Sequence, residues 1–291
     1  MITELDHHTV RPLVPARPAH GHKGTFGHCF ILAGSRGFTG AAKLACQAAC
    51  RSGVGLVTVG VPYPLGDIIA TALTETMSIR LPATETESFA HDALEPALRF
   101  AQDKEATVIG PGLSRHPDTT AFVLDFVPQC PGLLLLDADG LNALSENPNV
   151  LNERQEPCVL TPHPGEMARL IDSTPSTVQK NREPTAAAFA EKAGCVLVLK
   201  GQHTVIAAPD GRTAVNPTGN SGLGSGGTGD VLSGLIGGLL AQGMEPYAAA
   251  CLGVYLHGLA GDIAAQQKTP RAMIATDVID ALSSAWREIE A

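Results

Sequence analysis

The sequence predicts an α/β fold with a central, mainly parallel sheet flanked by helices on both faces. Apolar, β-rich runs recur along the chain, each followed by a loop rich in Gly, Pro or Asp and then by an Ala-rich helical stretch. The runs are continuously apolar rather than alternating, as expected of strands covered on both faces. No internal repeat, low-complexity tract or Ser/Pro linker divides the 291 residues, so a single domain over 1–291 is expected, with 1–22 as a polar N-terminal extension.

In order, strands are expected at HCFILAG (28–34), LVTVGV (56–61), ATVIG (106–110), LLLLD (133–137), CVLT (158–161), CVLVLK (195–200) and TVIAAP (204–209). Helices are expected at AAKLACQAACRSG (41–53), LNALSEN (141–147), VLSGLIGGLLAQG (231–243), 248–265, and 275–290 with Thr276 and Asp277 at its start. No apolar run approaches the roughly 20 residues of a membrane span. Residues 1–22 are polar and broken by Pro, unlike a secretory signal.

A formal charge of −9 argues against a sequence-independent nucleic-acid binder, which needs a basic face. The seven cysteines form no CxxC pair and sit mostly among apolar neighbours, as buried residues of a reducing compartment do. A cytoplasmic location is therefore expected.

The strongest local signal is GSGGTGD, Gly224 to Asp230, ahead of an apolar helix. Glycines let backbone N–H groups approach a ligand, and a helix starting there adds free N–H groups and the positive end of its dipole. Gly226, Gly227 and Thr228 are the expected anion loop. A carboxylate beside phosphate, Asp230, needs a reason, and proton abstraction from an attacking hydroxyl supplies one. The alternative is a plain turn with Asp as a helix cap. The helix dipole is expected to lower the Asp230 pKa.

Other clusters follow strands, where parallel sheets bind ligands. Gly110-Pro111-Gly112 permits close backbone approach or makes a simple turn. Asp137 and Asp139, facing one side in extended backbone, either hold Mg²⁺ or cap the next helix. His163, stiffened between Pro162 and Pro164, suits recognition of a polar group or is a packed structural His, with Glu166 complementing the helix that starts there. Lys200, in the run Lys200-Gly201-Gln202-His203-Thr204, reaches a phosphate or is a solvated hairpin lysine. Lys23 and Arg36, beside small residues at further loop edges, are either site cations or surface residues.

From residue 22 to 265 the strings HKGTFGHCFILAGS, GAAKLACQAACRSGVGLVTV, VIGPGL, LLLDADGLNAL, VLTPHPGEMARL, VLVLKGQHTVI, NPTGNSGLGSGGTGDVLSGLIGGLLAQG and GVYLHGLAGDIAA resemble the ADP-dependent NAD(P)H-hydrate dehydratases. The resemblance implies a ribokinase-like fold and a stand-alone form, without the epimerase domain of the bifunctional repair proteins. It implies that Ala41, Gly112, His163 and Asp230 meet the hydrated dinucleotide, NADHX or NADPHX. Lys200, Gly201, Gln202, His203, Thr204 and Gly229 would bind ADP, with Mg²⁺ as the accompanying ion and a homotetramer as the assembly. Two departures stand out. Ser114 replaces a usual glycine, putting the shape of that turn in question. Ser221-Gly222-Leu223-Gly224-Ser225 replaces a proline-led Met-Ala-Thr segment, which implies more flexibility ahead of the anion loop.

On this reading Asp230 takes the proton of the C6 hydroxyl as it attacks the β-phosphate of ADP, and the ring nitrogen then expels phosphate. A small-molecule kinase of the same fold, acting on a vitamin precursor or sugar, is the first rival. A non-catalytic nucleotide sensor is the second. The products separate them: phosphorylated alcohol, free phosphate with reduced nicotinamide, or none.

Overall fold

Alternate residues of the strand His28–Leu32 feed different cores. Cys29 and Ile31 belong to the apolar layer on one face of the sheet, Phe30 and Leu32 to the layer on the other, and all four are fully buried. That is the signature of a sheet covered twice. The computed structural model describes residues 2–291.

The sheet comprises β1 (Ile2–Glu4), β2 (His28–Leu32), β3 (Leu56–Pro62), β4 (Met77–Leu81), β5 (Ala106–Ile109), β6 (Leu133–Leu136), β7 (Cys158–Leu160), β8 (Val196–Leu199), β9 (Thr204–Ala207) and β10 (Thr213–Asn216). Their spatial order is β1-β10-β9-β8-β7-β6-β5-β2-β3-β4. Among the described strands only β9 runs against the rest, pairing antiparallel with both β8 and β10. The expected α/β class and mainly parallel sheet are therefore found.

The helices are α1 (His7–Val10), α2 (Thr39–Arg51), α3 (Gly66–Ala72), α4 (Leu94–Ala101), α5 (Pro117–Gln129), α6 (Ala138–Leu144), α7 (Pro164–Leu170), α8 (Pro175–Lys180), α9 (Arg182–Ala193), α10 (Thr228–Ala241), α11 (Pro246–Lys268) and α12 (Ala275–Glu290). Apolar residues of α2, α10, α11 and α12 fill one core layer, and those of α4, α5, α6, α7 and α9 the other.

Three strands went unseen in the sequence. β1, β4 and β10 read ITE, MSIRL and TAVN, and none is a continuous apolar run. β1 and β4 are the sheet's two edges, where polar residues face water. The polar N-terminal segment thus contributes a strand, β1, paired parallel with β10. Helix α11 corrects another expectation. At 23 residues, with a mean hydropathy of 1.3 over an 18-residue window, it alone among the described helices is long and apolar enough to cross a membrane. Its apolar surface lies largely buried in the core beneath the sheet, which accounts for the composition. All seven cysteines are free, and every one except the half-buried Cys50 is buried.

The strand ends matter most for chemistry. Asp137, Thr161 and Lys200 close the apolar runs and are the first residues past β6, β7 and β8, so the polar clusters do follow their strands as expected. Because these strands are adjacent and parallel, the three side chains share one edge of the sheet.

Candidate active site

Helix α10 begins at Thr228, three residues earlier than the apolar pattern indicated, so Asp230 sits in its first turn rather than in the preceding loop. Its N-cap is Gly227, at φ 93°, with no side-chain cap. A side chain at Gly227 would be strained by that left-handed backbone. An uncapped first turn leaves its N–H groups for an outside acceptor, as an anion loop requires.

The segment ahead of this loop is not loose, contrary to the expectation from Ser221–Ser225. Residues Ser221–Gly224 form a 3-10 turn whose cap, Asn220, accepts from Gly222 N at 2.9 Å. Asp262 on α11 accepts from Gly219 N at 2.8 Å and from the Asn220 side chain at 3.0 Å. Thr228 Oγ1 then donates to Leu223 O and Ser225 O. Side-chain hydrogen bonds replace the rigidity a proline would supply.

Beneath the α10 N-terminus lies a compact charge cluster. Asp137 is buried, with Oδ1 2.5 Å from Lys200 Nζ and Oδ2 accepting from Ser233 Oγ at 2.6 Å. Lys200 Nζ is also 3.7 Å from Glu166 Oε2. Burial disfavours the Lys200 ammonium, but Asp137, Glu166 and Asp230 outweigh it and hold its pKa above the usual value. Burial, with Lys200 partly offsetting it, pushes Glu166 up to about 7.

Asp230 behaves the same way, and this overturns the expectation of a lowered pKa. Loss of water around the carboxyl, followed by repulsion from Asp137, Asp139 and Glu166, raises it to about 7 against the attraction of Lys200. The surrounding negative charge and the burial defeat the helix dipole, whose contribution is about a kcal/mol or less. Among the described residues, the Asp230 side chain has no hydrogen-bond partner.

Asp137 and Asp139 do not form the expected one-sided pair. Ala138 between them is left-handed, at φ 48°, and starts α6. Asp139 instead accepts from Ser114 N at 3.0 Å and from Asn142 Nδ2 at 3.0 Å, tying the loop after β5 to α6. Among the described residues, no group of three or more His, Cys, Asp or Glu side chains is arranged to hold a metal ion. Ser114, the residue standing for a glycine, has φ 75°.

His163 caps α7. Its Nδ1 accepts from Gly165 N at 2.9 Å and from Glu166 N at 3.2 Å, while Glu166 Oε2 accepts from His163 N at 2.8 Å. With Nδ1 an acceptor, the ring proton is assigned to Nε2. Burial, Lys200 and Arg169 lower its pKa, so the half-exposed ring is a neutral N–H donor at neutral pH. Both the structural and the recognition readings of His163 thus have a basis.

A cavity of about 510 Å³ opens beside this cluster and is lined by Lys200, Gly201, Gln202, His203, Thr204 and Gly229, all the residues expected at the adenine nucleotide. Thr228 of the anion loop also lines it, whereas Gly226 and Gly227 do not. The remaining wall holds residues that sequence reasoning missed, among them Asn216, Val254 and His257. His257 is buried, its Nε2 2.9 Å from Thr228 O, and burial lowers its pKa to about 4. Its string GVYLHGLAGDIAA was the only available signal. Arg182 was also missed, because α9 carries no motif. It donates to Lys200 O at 3.1 Å and Leu199 O at 2.7 Å, fixing the turn that presents the cavity's residues.

The other expected contacts lie further along the sheet edge. At Gly110, φ 136°, a Cβ would come within 1.8 Å of Asp137 O, so β5 and β6 meet there only through glycine. A Cβ on Gly112 would lie 3.0 Å from Ala41 Cβ, which makes those two residues neighbours. Following the strand order, the nucleotide cavity sits at β8–β9, the charge cluster at β8–β6, and Gly112 with Ala41 at β5–β2. Arg36 belongs to this edge and pairs with Glu87 at 3.0 Å. Lys23 does not, because its turn precedes β2 and lies at the opposite end of the strands.

A family model described as NAD(P)H-hydrate dehydratase matches residues 29–284. The bifunctional NAD(P)H-hydrate repair enzyme Nnr of Moorella thermoacetica is 47% identical over 280 residues, which cover 96% of this chain and 53% of that protein. The chain thus spans about half the length of such bifunctional relatives. The ADP-dependent (S)-NAD(P)H-hydrate dehydratase of Bacillus subtilis is 37% identical, covering 97% of this chain and 96% of its own. The crystal structure of the Bacillus subtilis ADP/ATP-dependent NAD(P)H-hydrate dehydratase, co-crystallised with ATP and Mg²⁺, superposes with a TM-score of 0.86 at 35% identity, covering 99% of both chains. A ribokinase-like superfamily protein from Enterococcus faecalis superposes at 0.83 with 25% identity, over 100% of this chain and 97% of its own.

Proposed function

The chain belongs to the NAD(P)H-hydrate dehydratase family, a group of ribokinase-like enzymes, and on that footing we propose that it restores the S epimer of NADHX or NADPHX to NAD(P)H at the expense of ADP. The observation that carries this reading is the half-buried Asp230, raised to about 7, in the first turn of an uncapped helix beside a nucleotide-sized cavity.

Hydration leaves a hydroxyl on ring carbon 6, and hydroxide is a poor leaving group. Asp230 accepts the hydroxyl proton as the oxygen attacks the β-phosphorus of ADP, and AMP departs. The ring nitrogen's lone pair then expels inorganic phosphate, and loss of the proton on carbon 5 restores the dihydronicotinamide. The net change converts hydrate and ADP to NAD(P)H, AMP, phosphate and a proton. A carboxylate titrating near 7 is a stronger base than an ordinary one, and about half of it is still ionised near pH 7. The free N–H groups of α10 and the Lys200 ammonium supply positive potential for the transferring phosphoryl group, the main demand of a loose transition state. Neutral His163, with its Nε2 proton, offers a donor to the substrate.

Mg²⁺ fits this site in the manner it prefers, bound by phosphate oxygens and waters with few protein ligands. Asp137 and Asp139 are already engaged with Lys200, Ser233, Ser114 and Asn142, which leaves the nucleotide as the principal ligand. The ion would neutralise phosphate charge. A homotetramer, the assembly implied by the sequence resemblance, is part of the proposal and is checked by light scattering.

The test is incubation of the protein with NADHX and ADP. The expected result is recovery of reduced-nicotinamide absorbance with equal release of AMP and phosphate. Accumulation of a phosphorylated alcohol without that recovery would instead identify a kinase.

A further inference from the structure

Of the eight phenylalanines, Phe38 is the exposed one, at 57% of its possible surface. A lone apolar side chain at a surface is ordinary; its setting here is not. Phe38 follows β2 at the ligand-binding edge of the sheet and is the N-cap residue of α2, without a side-chain cap bond. Its neighbours are two of the four residues expected at the dinucleotide: a Cβ on Gly112 would stand 2.9 Å from Phe38 Cβ and 3.0 Å from Ala41 Cβ.

The loop that presents the ring is tightly held. Phe38 N donates to Ser35 O at 2.9 Å, Ser35 Oγ to Gly112 O at 2.8 Å, and Gly34 N to Pro111 O at 2.9 Å. Arg36 N donates to Glu87 O at 3.2 Å, and its guanidinium pairs with the Glu87 carboxylate. Among the described residues, Phe38 stacks on no other ring and carries no cation over its face, whereas Phe30, Phe89, Phe100, Phe122 and Phe126 all have ring partners. A fixed backbone therefore displays a bare aromatic face to solvent.

We infer that Phe38 is a positioning residue for the dinucleotide, laying its ring against the flat adenine or against a face of the puckered, hydrated nicotinamide, at the rim formed with Ala41 and Gly112. This deepens the proposed function and rests on it for the identity of the substrate. Stacking suits a base in a chain of net negative charge, because a ring face binds without a cation.

Phe38→Ala and Phe38→Tyr test this in steady-state assays with NADHX and ADP varied separately, alongside titration of each protein with NADH. Phe38→Ala should raise KM for the hydrate and Kd for NADH by about tenfold or more, the scale of losing one stacked base. KM for ADP should stay unchanged, and Phe38→Tyr should restore both values. A hydrate from the mononucleotide separates the two rings: a persisting effect assigns the stack to nicotinamide, and a vanishing one to adenine. Unchanged NADH affinity in Phe38→Ala overturns the inference, as does an equal rise in the KM for ADP. If the unaltered protein binds NADH through Phe38 but leaves NADHX unconverted, the proposed function fails while the stacking stands.

Discussion

Asp230 concentrates the residue-scale consequences of the fold. Its carboxyl loses solvent and faces Asp137, Asp139 and Glu166, with Lys200 as the opposing cation. Asp230→Asn keeps the shape and removes the base, so turnover should fall by orders of magnitude while ADP binding, measured by titration, stays largely intact. In the unaltered protein, kcat/KM should decline as pH drops through about 7. Glu166 also titrates near there, so the acid limb belongs to the pair. Stability carries the opposite sign. A carboxyl whose folded pKa is raised from its ordinary value near 3.8 to about 7 binds its proton more readily in the folded state, which therefore loses stability as pH rises between those values. Asp230→Asn should raise the Tm above pH 7 by a few degrees and leave it nearly unchanged below pH ~4. Ser114 is a second strained point, at φ 75° with its amide held by Asp139. Ser114→Gly should stabilise the protein by up to about 1 kcal/mol in urea unfolding, since left-handed backbone costs a side-chain-bearing residue about that much.

At the scale of elements, the site depends on how closely α10 crosses α2. A Cβ on Gly234 would lie 1.9 Å from Ala45 O, and one on Gly238 would lie 2.1 Å from Ser52 Oγ. The first obstacle is backbone and cannot rotate away. Gly234→Ala should therefore push the helices apart, costing more than about 2 kcal/mol in urea unfolding by the overpacking it forces. It should lower kcat/KM as well, because the same helix carries the anion loop and Asp230. The glycine spacing of VLSGLIGGLL looked like an apolar helix in the sequence, but which partner it meets was not legible there. Core strands β2, β3 and β5 to β9 were legible because both of their faces are apolar. The edges β1 and β4 were not, since a strand half in water has little pattern to read. Helix α10 was read late for a related reason: Thr228-Gly229-Asp230 has poor intrinsic helix propensity, and tertiary packing starts the helix there regardless.

Across the whole molecule, one sheet edge joins parts that are far apart in sequence. Lys200 from β8 meets Asp137 from β6, Ser233 of α10 holds the same Asp137, and Asp262 of α11 steadies the loop before the anion site. The motifs announced which residue types gather, and the parallel order of the strands explains why they gather together. What the sequence concealed was the balance of charge, for no motif states that Asp230 is surrounded by three carboxylates and a single ammonium. The central claim is that the C6 hydroxyl oxygen becomes bonded to phosphorus before it leaves the ring. Placing a heavy-oxygen label in that hydroxyl and analysing the products of a single turnover with ADP tests it directly. Label in the released inorganic phosphate is the predicted result. Label found in water, with the phosphate unlabelled, would show that dehydration proceeds without phosphoryl transfer and would contradict the account.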